Sequence, residues 1–307
     1  MVNNRWSICG IQSTNFCALK SLPFKYILAG ITFALLWASA STAGKFGLMS
    51  VEPLTFFTIR FLLAGTLLLF AAHVVLRHSF PRGKEWWQIA VFGAFNTALY
   101  LGIFILALKY VAAGITTMAI ALNPLMIGIL SAIIMKRNVT LREWLSILLG
   151  MVGVGIATFP LLQTGHSTLG GVLLIVLCML MYSIGSVYYA SVKWQLPRMT
   201  INGWQVFMGG LMLLPFAYVL HRQGNMFDTR FWMALLWLIV PVSILAVQLW
   251  LRLLKDDAVR ASLWLFLCPV FGFTFATFLL YEPFTIHTAI GAGLVMIALY
   301  IGQFVKK

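Results

Sequence analysis

Ala121–Asn138 reads ALNPLMIGILSAIIMKRN: a long apolar run interrupted by Pro124 and closed by two adjacent cations, Lys136 and Arg137. The stretch has an echo, FLCPVFGFTFATFLLYEP, Phe266–Pro283, with its own proline at Pro269. The echo closes on Glu282, an anion, where the first copy closes on cations. The two prolines lie 145 residues apart, and the same shift carries Thr140 onto Thr285, Thr55 onto Thr200, Gly65 onto Gly210, Trp87 onto Trp232, Ser41 onto Ser186 and Trp37 onto Tyr182.

The composition says which solvent surrounds these runs. Of the 307 residues, 62% are hydrophobic and 9% charged, against roughly 25% charged in soluble domains. That much apolar surface calls for lipid. A spanning helix needs about 20 mostly apolar residues, and ten such segments follow one another: 24–44, 51–76, 86–108, 114–135, 141–161, 169–191, 200–220, 231–253, 259–280 and 285–305. The first, YILAGITFALLWASA, has the look of a signal core with an A-x-A site. Its apolar run continues past Ala40, however, and the repeat needs it as a helix.

The net charge of +14 does not point to nucleic acid, because the cations are dispersed at the ends of the apolar runs. With the N-terminus cytoplasmic, the inside segments hold 16 Lys and Arg and the outside segments 4, with Arg60 alone inside a span. This is the positive-inside pattern, with both termini cytoplasmic. The shift of 145 maps spans 1–5 onto 6–10. Five is odd, so the second half lies upside down relative to the first. Lys136 and Arg137 then end a run at the cytoplasmic face, and Glu282 ends its counterpart at the external face. The expected architecture is an all-α integral membrane protein of ten transmembrane helices: a tail over 1–23, a five-helix repeat over 24–161 and its inverted copy over 169–305. Inverted repeats of this kind are common in secondary transporters.

Order and spacing extend the picture. ALLWASASTAGKFGL, EPLTFFTIRFLLAGTLLL and LKYVAAGITTMAIALNPLMIGIL resemble the first half of the EamA family of the drug/metabolite transporter superfamily. LKDDAVRASLWLFLCPVFGFTFATFLLYEPFT and IGAGLVMIALYIG resemble its second half. Trp37, Pro53, Arg60, Pro124, Pro269 and Glu282 match family-typical positions. One stretch departs: MKRNVT stands where the family often has a Gly-Glu-Arg-like sequence. The resemblance implies a central cavity and the export or exchange of small metabolites, amino acids foremost, from a bacterial inner membrane.

Several polar groups lie where lipid would penalise them. Arg60 is basic and deep in the second span. One role for it is a cation facing a substrate carboxylate; the other is structural, donating to helix-end carbonyls or snorkelling outward. Pro124 and Pro269 remove a backbone N–H and free the carbonyls of Ile120 and Leu265, marking simple kinks or the wall of a site. Asn123 beside Pro124 and Cys268 beside Pro269 join them as cavity candidates. The remaining mid-span candidates are Trp37, Ser41, Asn96, Tyr100, Tyr182, Ser186 and Gln248, with Thr42 and Ser243 polar at similar depth and Gln205 a neutral donor at the repeat position of Arg60, each alone also readable as glue between helices. The small residues of GMVGVGIA (150–157) and GAG (291–293) suit close helix packing or a homodimer face. No carboxylate lies deep in a span, and no ATP-binding loop, hydrolase motif or metal-ligand spacing occurs. Neither cofactor nor enzyme chemistry is expected; the expected partners are a small-molecule substrate and the bilayer. An integral-membrane enzyme and a non-transporting scaffold are the alternatives.

Overall fold

The computed structural model describes residues 24–107, 110, 119–163, 169–221, 224–280 and 286–304. All regular structure among them is helical. The first helix, α1, is Phe24–Leu48. Next, α2 is Pro53–Phe70 and runs on through the π-turn Ala71–Val75. Helix α3 is Lys84–Ala107, with the π-turn Ala94–Leu99 at its centre. Then come α4 (Leu122–Ile134), α5 (Leu141–Gln163), α6 (Leu169–Ser191) and α7 (Arg198–Val219). Helix α8 is Thr229–Asp256, with a π-turn over Leu238–Ala246. Helix α9 begins as Ala258–Leu263, tightens into the 3₁₀ turn Trp264–Phe266 and continues as Leu267–Leu280. Helix α10 is Ile286–Phe304. The tail over 1–23, Lys109, residues 111–118, Glu282 and Thr285 lie outside the described residues.

Six of these helices, α1, α2, α3, α6, α8 and α10, are long and apolar enough to cross a bilayer, and Leu122–Ile134 and Ala258–Gly272 are shorter apolar helices. The outward faces carry Leu67, Phe70, Leu148, Val152, Ile290 and Met296, all exposed. Such a surface is stable against acyl chains and not against water. The chain is a multi-pass membrane protein.

Local chemistry sets the helix ends. Pro53 opens α2, where its missing N–H is no loss. Asp228 caps α8 by accepting from Phe231 N at 2.9 Å, and Asp257 caps α9 by accepting from Arg260 N at 3.0 Å. Thr140 and Glu143 form a reciprocal capping box at the start of α5: Thr140 N donates to Glu143 Oε2 at 2.9 Å and Glu143 N to Thr140 Oγ1 at 3.4 Å.

The prolines of the opening stretch are placed in the same way. Pro124 is the third residue of α4, and Pro269 is the third residue of the segment Leu267–Leu280. The first N–H groups of a helix have no intrahelical acceptor, so a residue without one fits there. The helical path is already interrupted ahead of each, by a turn at Ala121 and by the 3₁₀ turn Trp264–Phe266.

Packing follows small residues. Helix α2 lies along α7, and α5 along α10. A Cβ on Gly65 would stand 2.7 Å from Phe207 Cα, and one on Gly210 would stand 3.1 Å from Phe61 Cβ. The two glycines let α2 and α7 touch almost backbone to backbone. The small-residue stretches of α5 and α10 meet each other: a Cβ on Gly153 would lie 2.9 Å from Gly291 O. Helix α1 packs on α8 and α9, and α6 packs on α3 and α4.

Candidate functional site

A chain of buried polar side chains crosses the apolar interior. Arg60 Nε donates to Ser243 Oγ at 3.1 Å. The carbonyl of Ser243 accepts from Asn202 Nδ2 at 3.0 Å. Asn202 Oδ1 accepts from Gln205 Nε2 at 3.1 Å. Gln205 Oε1 accepts from Thr97 Oγ1 at 2.7 Å and from Asn96 Nδ2 at 3.4 Å. All six residues are buried. Four helices supply them: α2 (Arg60), α3 (Asn96, Thr97), α7 (Asn202, Gln205) and α8 (Ser243).

The sequence builds this chain from local irregularities. Pro241 lies inside the π-turn of α8 and lacks the N–H an α-turn would use, so the ladder widens there. Ser243, two residues on, sits in that widened turn with both its hydroxyl and its carbonyl engaged from the side. Asn96 and Thr97 sit in the π-turn of α3. A Cβ on Gly93 would stand 2.7 Å from Gln205 O, and one on Gly209 would stand 2.5 Å from Thr97 Cβ. The absence of both lets α3 and α7 close on each other and brings Thr97 to Gln205.

Arg60 is 4% exposed. Its guanidinium lies over the rings of Phe57 (5.2 Å) and Phe61 (5.1 Å), a favourable cation–π setting. Among the described residues its hydrogen bond goes to the Ser243 hydroxyl and not to a helix-end carbonyl. Among the described residues no carboxylate pairs with it.

A second group is aromatic. The ring of Tyr182 stands 4.7 Å from that of Tyr100, 6.0 Å from Trp37 and 5.7 Å from Trp250, which stacks in turn on Phe33 at 4.8 Å. Trp37 and Tyr182, equivalent under the 145-residue shift, therefore face each other. Beside them Asn123 Nδ2 donates to Met179 Sδ at 3.2 Å, and Asn123 Oδ1 accepts from Ser183 Oγ at 3.2 Å. The Tyr182 hydroxyl, Trp250 Nε1 and Asn96 Oδ1 are buried without a partner among the described residues. Buried polar atoms normally have one, so these three are open to a ligand or water.

The other sequence candidates divide. Pro124, Pro269 and Cys268 are buried, and Cys268 belongs to the same apolar core as Tyr100 and Tyr182. Ser186 spends its hydroxyl on Tyr182 O at 2.8 Å, one turn back. Gln248 stands apart and donates to Arg198 O at 3.5 Å, at the start of α7. Ser41 lies in α1, and its side chain is outside the described residues. Sequence reasoning missed Asn202 and Thr97. The signal for Asn202 was its spacing of three from Gln205, which puts both on one helix face.

The profile of the EamA-like transporter family matches residues 24–159 and again residues 169–302. The chain belongs to this family. It is 26% identical over 279 residues to an uncharacterized transporter of Archaeoglobus fulgidus, covering 90% of this chain and 98% of the relative. It is 24% identical to the protein PecM of Dickeya dadantii, covering 82% of this chain and 83% of the relative. A chloroplastic WAT1-related protein of Arabidopsis thaliana is 25% identical, over 87% of this chain and 67% of that one. A solved crystal structure superposes with a TM-score of 0.76 at 18% identity, covering 91% of this chain and 97% of that chain, which shows the shared fold.

At the MKRNVT stretch, Arg137 finds its acid partners in the next helix and at the α8–α9 corner. Arg137 Nη2 pairs with Glu143 Oε1 at 2.7 Å and with Asp257 Oδ2 at 2.7 Å, and Arg137 Nη1 donates to Glu143 Oε2 at 3.1 Å. Partial burial alone would lower the Arg137 pKa, but the hydrogen bonds and charges of Glu143 and Asp257 hold it above the usual guanidinium range. This cluster ties the α4–α5 corner to the α8–α9 corner. At the loops after α1 and α7, His221 Nδ1 and Glu52 Oε2 lie 2.5 Å apart, Glu52 N donates to Asn225 Oδ1 at 2.8 Å, and Met226 N donates to Ser50 O at 2.8 Å.

Proposed function

We propose that this EamA-family chain is a secondary transporter, an exporter or exchanger of small organic metabolites such as amino acids, working by alternating access in a bacterial inner membrane. The observation that carries the reading is the buried polar chain from Arg60 to Asn96. Hydrogen-bonding side chains in the middle of a lipid-facing bundle are costly. A solute path is a use for them that a scaffold does not have.

In this reading ten spans form two inverted five-helix repeats, 24–161 and 169–305, with both termini cytoplasmic. The packing supports it. Under the 145-residue shift, α1 on α9 becomes α6 on α4, α1 on α8 becomes α6 on α3, and the α2–α7 and α5–α10 pairs map onto themselves. The π-turn Ala94–Leu99 maps inside Leu238–Ala246, and the break at Ala121 maps onto the end of Trp264–Phe266. The pseudo-twofold axis then passes between Gly65 and Gly210.

Transport needs the two halves to rock about the site. The Arg137–Asp257 pair on the cytoplasmic side and the Glu52–His221 pair on the external side are the contacts that would break and re-form. The test is uptake of labelled amino acids and other small metabolites by proteoliposomes holding the full chain, with protein-free liposomes as the control. Saturable uptake, accelerated several-fold by unlabelled solute on the opposite side, is expected, with Asn123→Leu changing its apparent affinity. Product formation without movement would favour the enzyme reading; neither would favour a scaffold.

A further inference from the structure

We infer that Arg60 is an oxyanion subsite: the solutes this transporter carries bear a carboxylate or another oxyanion, which pairs with the Arg60 guanidinium. The inference rests on the transport reading above and names the chemistry of its substrate.

A guanidinium offers five N–H donors and stays protonated at any relevant pH. Among the described residues Arg60 makes one hydrogen bond, Nε to Ser243 Oγ. Its two Nη groups have no acceptor among the described residues. The ion pairs among those residues lie at the ends of the bundle, on Arg137 and His221, and none reaches Arg60. The Phe57 and Phe61 rings lie 5.2 and 5.1 Å from the guanidinium carbon and offer no hydrogen-bond acceptor of the ordinary kind to the two Nη groups.

The depth makes this costly. Arg60 is roughly 10 Å along α2 from Pro53 at 1.5 Å per residue, and Ser243 is near the middle of α8. A buried charge is normally paired. If a hydrogen bond to Ser243 were all that packing required, a neutral amide would serve. Gln205, the counterpart of Arg60 under the 145-residue shift, does such work in the same polar chain with no charge at all. What the guanidinium adds is a positive charge with a planar fork, which matches a carboxylate or phosphate in bidentate fashion. The aromatic group around Tyr182 would take the less polar part of the solute.

The experiment uses the full chain in proteoliposomes loaded with a soluble-metabolite extract of the cells that make it. The metabolites that leave are identified by mass spectrometry, against protein-free liposomes. The expected result is that the depleted species carry a carboxylate, phosphate or sulfonate, and the identities separate carboxylates from phosphates. Arg60→Gln should slow their efflux by at least about tenfold, and Arg60→Lys, which keeps the charge and loses the fork, should fall between. Depletion of uncharged or purely cationic solutes would overturn the inference and leave the transport reading standing, even where Arg60→Gln fails to fold. Equal efflux of anions by folded Arg60→Gln would overturn it as well. If no metabolite leaves, the transport reading fails and the inference with it.

Discussion

Gln205 is the hub of the buried polar chain, taking two hydrogen bonds through one oxygen and giving one through its nitrogen. Gln205→Leu would strand the Thr97 hydroxyl, the Asn96 amide and Asn202 Oδ1 at once. Each buried group left without a partner costs about 1–3 kcal/mol. The variant should therefore lose about 3 kcal/mol or more, read as a clear drop in thermal unfolding temperature in detergent. Unchanged stability would mean that water already satisfies these groups. Arg60, Asn96 and Asn123 were legible in the sequence because a charge or amide inside an apolar run stands out against its neighbours. Asn202 was not, because TINGWQ lies near the polar start of α7, where an asparagine looks like an interfacial residue. Its role appears only when α8 brings a widened turn to it.

The glycine contact between α2 and α7 gives a prediction with a direction. The added Cβ of Gly65→Ala meets backbone at 2.7 Å, while that of Gly210→Ala meets side chain first, at 3.1 Å. Overpacking of this kind costs typically 1–3 kcal/mol, more where backbone must move. Gly65→Ala should therefore destabilise more than Gly210→Ala, as measured by thermal unfolding of the two purified variants side by side. The corner cluster gives another. Arg137→Ala leaves the carboxylate of Glu143, 5% exposed, without its cation. Losing one partner of a fully buried pair costs 3–5 kcal/mol; with Arg137 itself 20% exposed, about 2 kcal/mol is expected. Glu143→Gln in the Arg137→Ala background should recover part of it. At this scale the long apolar helices were legible from length and hydropathy. The breaks ahead of Pro124 and Pro269 were half legible, since the prolines marked the place and not the turn that precedes each. The π-turn Ala94–Leu99 has no proline to betray it, and Pro241 is the one hint of the π-turn in α8.

For the whole molecule, the proposed transport mechanism turns on two halves that face opposite ways. The sequence argues for this arrangement through charge more than through identity: Lys136 and Arg137 close one apolar run, and Glu282 stands at the equivalent place in the other. It does not show which side chains meet between helices, because that depends on the rotation of each helix about its own axis, which a run apolar on all sides leaves free. Ser79 and Gly224 test the inversion most directly. They are equivalent under the 145-residue shift, and both are exposed in the loops that follow α2 and α7. Single cysteines, Ser79→Cys and Gly224→Cys, would be placed in a background lacking the four native cysteines. Intact cells would then be treated with a membrane-impermeant maleimide. With the two halves inverted, the Gly224→Cys protein is labelled and the Ser79→Cys protein is protected until the cells are opened. Labelling of both in intact cells, or protection of both, would contradict it.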